Sequence, residues 1–137
     1  MNFCQSILQA IGNTPLVKLN KVTGGTPVNL FAKLEFMNPS GSVKDRMALF
    51  IIEEAERQGF LKPGGTIVEN SSGNTGAALA TIAAIKGYRC IITIPDKMSQ
   101  EKIDLLRSFG AEVIITPTAV AADSPESYYS VARRIAR

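Results

Sequence analysis

The stretch that decides the fold is Asn74-Thr75-Gly76-Ala77-Ala78-Leu79-Ala80-Thr81-Ile82-Ala83-Ala84-Ile85-Lys86, then Gly87, then Tyr88 and Arg89-Cys90-Ile91-Ile92-Thr93-Ile94-Pro95. The run 89–95 is almost unbroken in apolar and β-branched residues, the pattern of a strand covered on both faces. The run 74–86 is apolar nearly all round, which marks a buried helix, and Gly87 is a natural helix stop. A buried helix that feeds a buried strand across so short a link is a piece of an alternating α/β chain.

The same alternation extends in both directions from there. Residues 29–35 read as a strand and 44–58 as a helix closed by Gly59. Pro63-Gly64-Gly65 is a turn and 66–70 a short strand. Beyond Pro95, residues 99–109 read as a helix with Ser99 as cap, Glu101 in its first turn and Gly110 at its end. Residues 112–116 form another strand, and Ser124-Pro125-Glu126 reads as N-cap, first position and first-turn acid of a last helix. Strands alternating with helices across short links predict an α/β fold: a parallel sheet flanked by helices on both faces, in three αβα layers. The whole of 1–137 reads as a single α/β domain. Residues 131–137 are still helical in pattern with no cap, so the sequence reads as part of a longer protein or as a truncated product.

Composition removes several function classes. A net charge of +3, with Lys and Arg interspersed among Asp and Glu, gives no concentrated basic face for nucleic acid. No apolar run approaches a bilayer span, and the first residues lack a signal peptide's basic start and apolar stretch. Cys4 and Cys90 form neither a disulfide framework nor a CxxC pair, and the chain reads as cytoplasmic. Cys90 and the pair Tyr128-Tyr129 are best explained by packing. With no histidine, Ser-His-Asp and Cys-His nucleophiles and His-ligated zinc are excluded on this chain. No metal site is expected.

Two loops carry the chemistry. In Asn38-Pro39-Ser40-Gly41-Ser42-Val43-Lys44-Asp45-Arg46 a lysine stands where a loop becomes a helix. That end of a helix is already positive and disfavours a cation. Only about one free lysine in 2,500 is neutral at pH 7, and helix-end repulsion of about 0.3–1 kcal/mol cannot change that alone. Burial or a neighbouring cation such as Arg46 would have to add to it. The plain alternative is a solvated lysine paired with Asp45 or a nearby glutamate. In Ser71-Ser72-Gly73-Asn74-Thr75-Gly76 a glycine-bearing turn leads from strand to helix, with three hydroxyls and an amide. Free N–H groups at such a helix start bind carboxylate or phosphate, although an ordinary capped helix start would look similar. An amine facing an anion-binding turn suits covalent chemistry on a phosphorylated carbonyl, for which pyridoxal phosphate is the candidate.

Ile11-Gly12-Asn13-Thr14-Pro15-Leu16-Val17, Lys33-Leu34-Glu35, the run 38–46 and Ser72-Gly73-Asn74-Thr75-Gly76 occur together and in order. This ensemble resembles the cysteine synthase / cystathionine β-synthase family, the fold type II pyridoxal-phosphate enzymes. The stretches Pro95-Asp96-Lys97-Met98-Ser99-Gln100-Glu101-Lys102 and Asp123-Ser124-Pro125-Glu126-Ser127 are closer to cystathionine β-synthase. The resemblance covers essentially the whole chain, as the N-terminal domain of such an enzyme. Residues 1–35 would then pack against a C-terminal domain that this sequence does not include.

The resemblance implies pyridoxal 5'-phosphate as cofactor and β-replacement on L-serine or O-acetyl-L-serine with a sulfur nucleophile. Lys44 would carry the cofactor as a Schiff base and act as general base on the substrate α-proton. Asn74 would hydrogen-bond the cofactor ring hydroxyl. Ser71, Ser72, Asn74 and Thr75 would grip the substrate α-carboxylate. The family usually has Pro-Thr where Asn70-Ser71 stand here, which bears on loop stiffness and substrate preference. The family's phosphate-holding glycine/threonine-rich loop lies downstream of residue 137, so weak cofactor binding and poor turnover are expected of these 137 residues alone. A homodimer is implied for the full-length protein. The alternatives are a non-catalytic assembly or regulatory fragment and a serine/threonine dehydratase.

Overall fold

A computed structural model describes residues 3–22, 24–25, 27–71 and 73–137. Two sheets are present among them. The larger is parallel, with strand order β3-β4-β5: β3 is Thr66–Glu69, β4 Arg89–Pro95 and β5 Glu112–Thr116. The smaller is an antiparallel pair, β1 (Leu16–Leu19) with β2 (Leu30–Lys33). Four α-helices accompany them: α1 (Lys44–Arg57), α2 (Asn74–Lys86), α3 (Gln100–Ser108) and α4 (Tyr128–Ile135).

The central strand β4 accounts for the layers. Successive side chains point to opposite faces of a strand. Cys90, Ile92 and Ile94 enter one core with Ala77, Ala80 and Ala83 of α2 and with Ile103 and Leu106 of α3. On the opposite face Thr93 donates its hydroxyl to the Tyr128 carbonyl of α4 at 2.9 Å. Both crossover helices thus cover one face and α4 covers the other, as a right-handed β-α-β-α-β run requires. The three-layer αβα expectation holds. Helix α2 is buried from Gly76 to Ala80 and again at Ile82 and Ala83, as its all-apolar sequence requires. Its other side meets Ala48 and Ile52 of α1 in a second core. At the far end of α1, Glu56 accepts from Lys86 Nζ at 2.7 Å and from the Tyr88 hydroxyl at 2.7 Å. That clasp joins the C-terminal ends of the two helices.

Two sequence expectations need correction. The strand expected over 29–35 is only Leu30–Lys33, and it pairs antiparallel with a strand the pattern did not reveal rather than joining the parallel sheet. Glu35 instead opens a 3-10 turn, Glu35–Met37, in which its carboxylate meets Arg46. The last helix begins at Tyr128, not at Pro125. Ser127 is its cap, accepting from the Ser130 N–H at 3.2 Å, while Ser124 closes a preceding turn through the Ser127 N–H to its carbonyl at 3.1 Å. Elsewhere the boundaries fall within a residue or two of those read from the sequence. No helix among the described residues is long and apolar enough to cross a membrane.

Candidate active site

Lys44 is the first residue of α1 and is exposed. Its backbone N–H donates to Ser42 Oγ at 3.2 Å. Its ammonium is in none of the ion pairs found among the described residues. Of the plain reading, the solvated lysine is what the structure holds, while its pairing with Asp45 or a nearby glutamate is not among the ion pairs of the described residues. Asp45 is 1% exposed and turns back into the loop, accepting from the Ser40 N–H at 2.7 Å and from the Ser40 hydroxyl. Nor is Arg46 a free cation beside Lys44. Its Nε and Nη2 donate to the two oxygens of Glu35 at 2.8 and 2.9 Å, a bidentate fork that engages the guanidinium elsewhere.

Glu35 is the centre of a polar knot that the sequence did not disclose. Besides Arg46, the Thr14 hydroxyl donates to Oε1 at 2.8 Å and Asn38 Nδ2 to Oε2 at 2.9 Å. Arg46 Nη2 also donates to the Gly12 carbonyl at 2.7 Å, and the Gly12 N–H donates to Asn38 Oδ1 at 2.8 Å. Gly12 has φ +83°, and a Cβ there would lie 2.7 Å from Arg46 Nη1, so only glycine leaves the guanidinium its place. The Arg46 hydrogen bonds lower the Glu35 carboxyl to about 2 against a desolvation cost, with help from Thr14 and Asn38. A depressed carboxyl stabilises the fold fully above its ordinary range near 4.5 and loses that contribution as pH falls through about 2. The knot is therefore intact across the physiological range. The only sequence signal for it was that Gly12, Glu35 and Asn38 all fall inside the quoted motif words.

The second loop leaves the C-terminal end of β3, where ligands bind in open α/β sheets. Ser71 Oγ accepts from the Gly76 N–H at 3.2 Å, so one hydroxyl of the expected carboxylate loop helps to shape the start of α2. Gly73 holds the N-cap position and brings no side chain to it. Asn74 is exposed on the first turn, beside Ala77 and Lys102. Thr75 lines an apolar cavity of about 260 Å³ with Met47, Ile51, Leu79 and Glu69. Met47 lies one turn beyond Lys44 on the same helical face, while Lys44 itself and Asn74 do not line this cavity. Ser72 lies outside the described residues. An accessible primary amine, an accessible carboxamide and a hydroxyl-bearing helix start are the donor set that a phosphorylated aromatic aldehyde would take.

Glu69 ends β3 with its carboxyl on the cavity wall. Burial pushes it up, and the Asn70 backbone hydrogen bond pulls it partly back. For a raised carboxyl the sign runs opposite to Glu35: folding is penalised as pH rises past the ordinary range and relieved below it. Glu69→Gln is expected to raise the thermal midpoint by about 1–3 °C at pH 8 and to leave it unchanged at pH 3.5, read by circular dichroism. The residue is only partly buried, and screening keeps the effect small. Cys90 is the packed core residue expected, its thiol pushed up to about 11 by burial and then by Glu69.

A parallel αβα layer with a lysine at one helix start and a glycine-asparagine turn at another defines a class, the α/β cofactor proteins that bind at strand C-termini. Within it, the family model described as "Pyridoxal-phosphate dependent enzyme" matches residues 7–137, and the chain belongs to that family. The cystathionine β-synthase of Mus musculus is 58% identical over 131 residues, which are 94% of this chain and 23% of that protein. Cysteine synthase 1 of Emericella nidulans is 53% identical over 132 residues, 96% of this chain and 35% of that protein. The crystal structure of O-ureido-L-serine synthase superposes with a TM-score of 0.85 at 40% identity, covering 98% of this chain and 42% of that one. The chain thus spans between about a quarter and two fifths of the relatives it matches. The fold is that of a fold type II pyridoxal-phosphate enzyme.

Proposed function

We propose that this chain is the lysine-bearing part of a pyridoxal-phosphate enzyme that replaces the β-substituent of L-serine or O-acetyl-L-serine with a sulfur nucleophile. The observation that carries the reading is how two helices packed on one another open. Helix α1 opens with an exposed Lys44 that is in none of the ion pairs among the described residues. Helix α2 opens with Asn74 and Thr75, after a turn in which Ser71 Oγ accepts from the Gly76 N–H. The family match and the relatives' names support the reaction class.

When bound, the cofactor supplies an electron sink for the negative charge left at the substrate Cα. This chain's residues do the rest. Lys44 Nζ is the point of attachment and the base that holds and returns the α-proton. The backbone N–H groups at the start of α2, with the hydroxyls of Ser71, Ser72 and Thr75 and the Asn74 amide, hold the α-carboxylate. Asn74 also orients the ring through its hydroxyl. Apolar residues such as Met47, Ile51 and Leu79 keep water from the cavity edge. Residues 1–35 pack against a further part of the protein, a reading supported by the apolar face of β1–β2 that Val17, Leu19, Leu30 and Ala32 share, where Val17 is 40% and Leu30 44% exposed. The whole protein is a cytoplasmic homodimer in this reading.

The test is chemical. Incubation with pyridoxal phosphate followed by borohydride is expected to leave a stable adduct on the peptide that carries Lys44, and Lys44→Ala to remove it. Equal labelling of that variant and the natural chain would sink the proposal.

A further inference from the structure

We propose that Glu35 is a positioning residue for Lys44, holding the lysine loop through Asn38 at one end and Arg46 at the other. The inference rests on the reading of Lys44 as the cofactor lysine and goes beyond it. The loop between β2 and α1 is closed on itself by several hydrogen bonds. Gly41 has φ +86°, and its N–H donates to the Asn38 carbonyl at 2.8 Å. The buried Asp45 clasps Ser40 within the loop. What fixes the loop relative to the rest of the protein is the knot. Asn38, 4% exposed, donates to both the Glu35 carbonyl, at 2.8 Å, and its carboxylate. Arg46, two residues beyond Lys44, forks onto the same carboxylate.

Both oxygens of Glu35 thus receive two donors each, one from Arg46 and one from Thr14 or Asn38. The residues before and after Lys44 are registered against one carboxylate, while the Lys44 side chain remains exposed for its own chemistry. Neutralising that carboxylate leaves the guanidinium without its charge partner and the Asn38 amide with a weaker acceptor. Glu35 belongs to neither hydrophobic core, although α1, which carries Arg46, contributes Ala48 and Ile52 to the second. A loss confined to the loop is therefore the signature of a positioning role.

The experiment compares Glu35→Gln with the natural chain by two readouts. The first is the share of borohydride-fixed pyridoxal-phosphate label on Lys44 relative to the exposed Lys62, read by peptide mass. The second is amide hydrogen exchange at Ser40 and Gly41 relative to Cys90 and Ile92. The expected result is a fall of about tenfold in the Lys44 share, the scale of a displaced reacting group. Exchange at Ser40 and Gly41 accelerates while the core amides are unchanged. Arg46→Lys, which keeps the charge and loses the fork, falls between the two. A folded Glu35→Gln chain with an unchanged Lys44 share overturns the proposal. If Glu35→Gln does not fold, Arg46→Lys carries the same test. In the natural chain, exchange of Ser40 and Gly41 at the rate of an unstructured peptide overturns the proposal whatever the variants do. Absence of any Lys44 preference in the natural chain sinks the cofactor-lysine reading instead; Ser40 and Gly41 exchange that is the same in Glu35→Gln as in the natural chain then overturns the holding of the loop by Glu35, and faster exchange upholds it.

Discussion

Gly76→Ala is expected to destabilise the chain by about 1–3 kcal/mol, although alanine is the better helix former. Replacing a mid-helix glycine ordinarily gains about 0.5–1 kcal/mol. Here a Cβ would stand 2.7 Å from the Ser71 carbonyl oxygen, 3.4 Å from Leu106 and 3.6 Å from Ile92. The first of these is backbone, and it can yield only by moving the turn that leads into α2. That movement would also stretch the 3.2 Å hydrogen bond from the Gly76 N–H to Ser71 Oγ. The urea midpoint is expected to fall, and the label on Lys44 to fall less than the stability does. A midpoint equal to or above that of the natural chain would mean that the turn relaxes freely.

Ile92→Ala is expected to cost more, about 3–4 kcal/mol, within the range for buried isoleucine truncations. Ile92 is 0% exposed and sits on the central strand, between α2 and α3. Its neighbours Ala77, Ala80 and Ile94 are fixed by helix and sheet and cannot collapse into the space left. Domains of this size are stable by about 5–15 kcal/mol, so the thermal midpoint should drop by about 10 °C. A drop of less than 3 °C would show that the core repacks around the missing atoms.

Much of this was readable in advance, for identifiable reasons. The unbroken apolar run 89–95 and the all-apolar run 74–86 have only one kind of environment open to them, and the structure puts both there. Gly59, Gly87 and Gly110 follow α1, α2 and α3 with φ between +76° and +87°, a conformation glycine adopts at little cost. The antiparallel pair was missed because Leu16–Leu19 and Leu30–Lys33 are short and mostly exposed, so no buried face imposes an alternation. The start of α4 was misplaced because Ser124-Pro125-Glu126 and Ser127 both satisfy capping chemistry, and only the buried environment of Ser127 decides between them. Lys44 opens α1 and Asn74 and Thr75 open α2, as the helix starts read from the sequence required. The partners of Arg46 and Asp45 could not be read, because a charge in a sequence does not say which of several nearby charges it will meet. Glu35 is 11 residues from Arg46 and 21 from Thr14, and only the fold brings them together.

The clasp of Glu56 by Lys86 and Tyr88 has a consequence at the opposite end of α1. Fourteen residues of helix make a rod of about 21 Å. Its tail is tied to α2 through Glu56 and its head to Glu35 and Gly12 through Arg46, so sliding along its axis would break contacts at both ends. Lys44 thus stands at the head of a rod that is moored at both ends, two residues before the guanidinium that ties that head to Glu35 and Gly12.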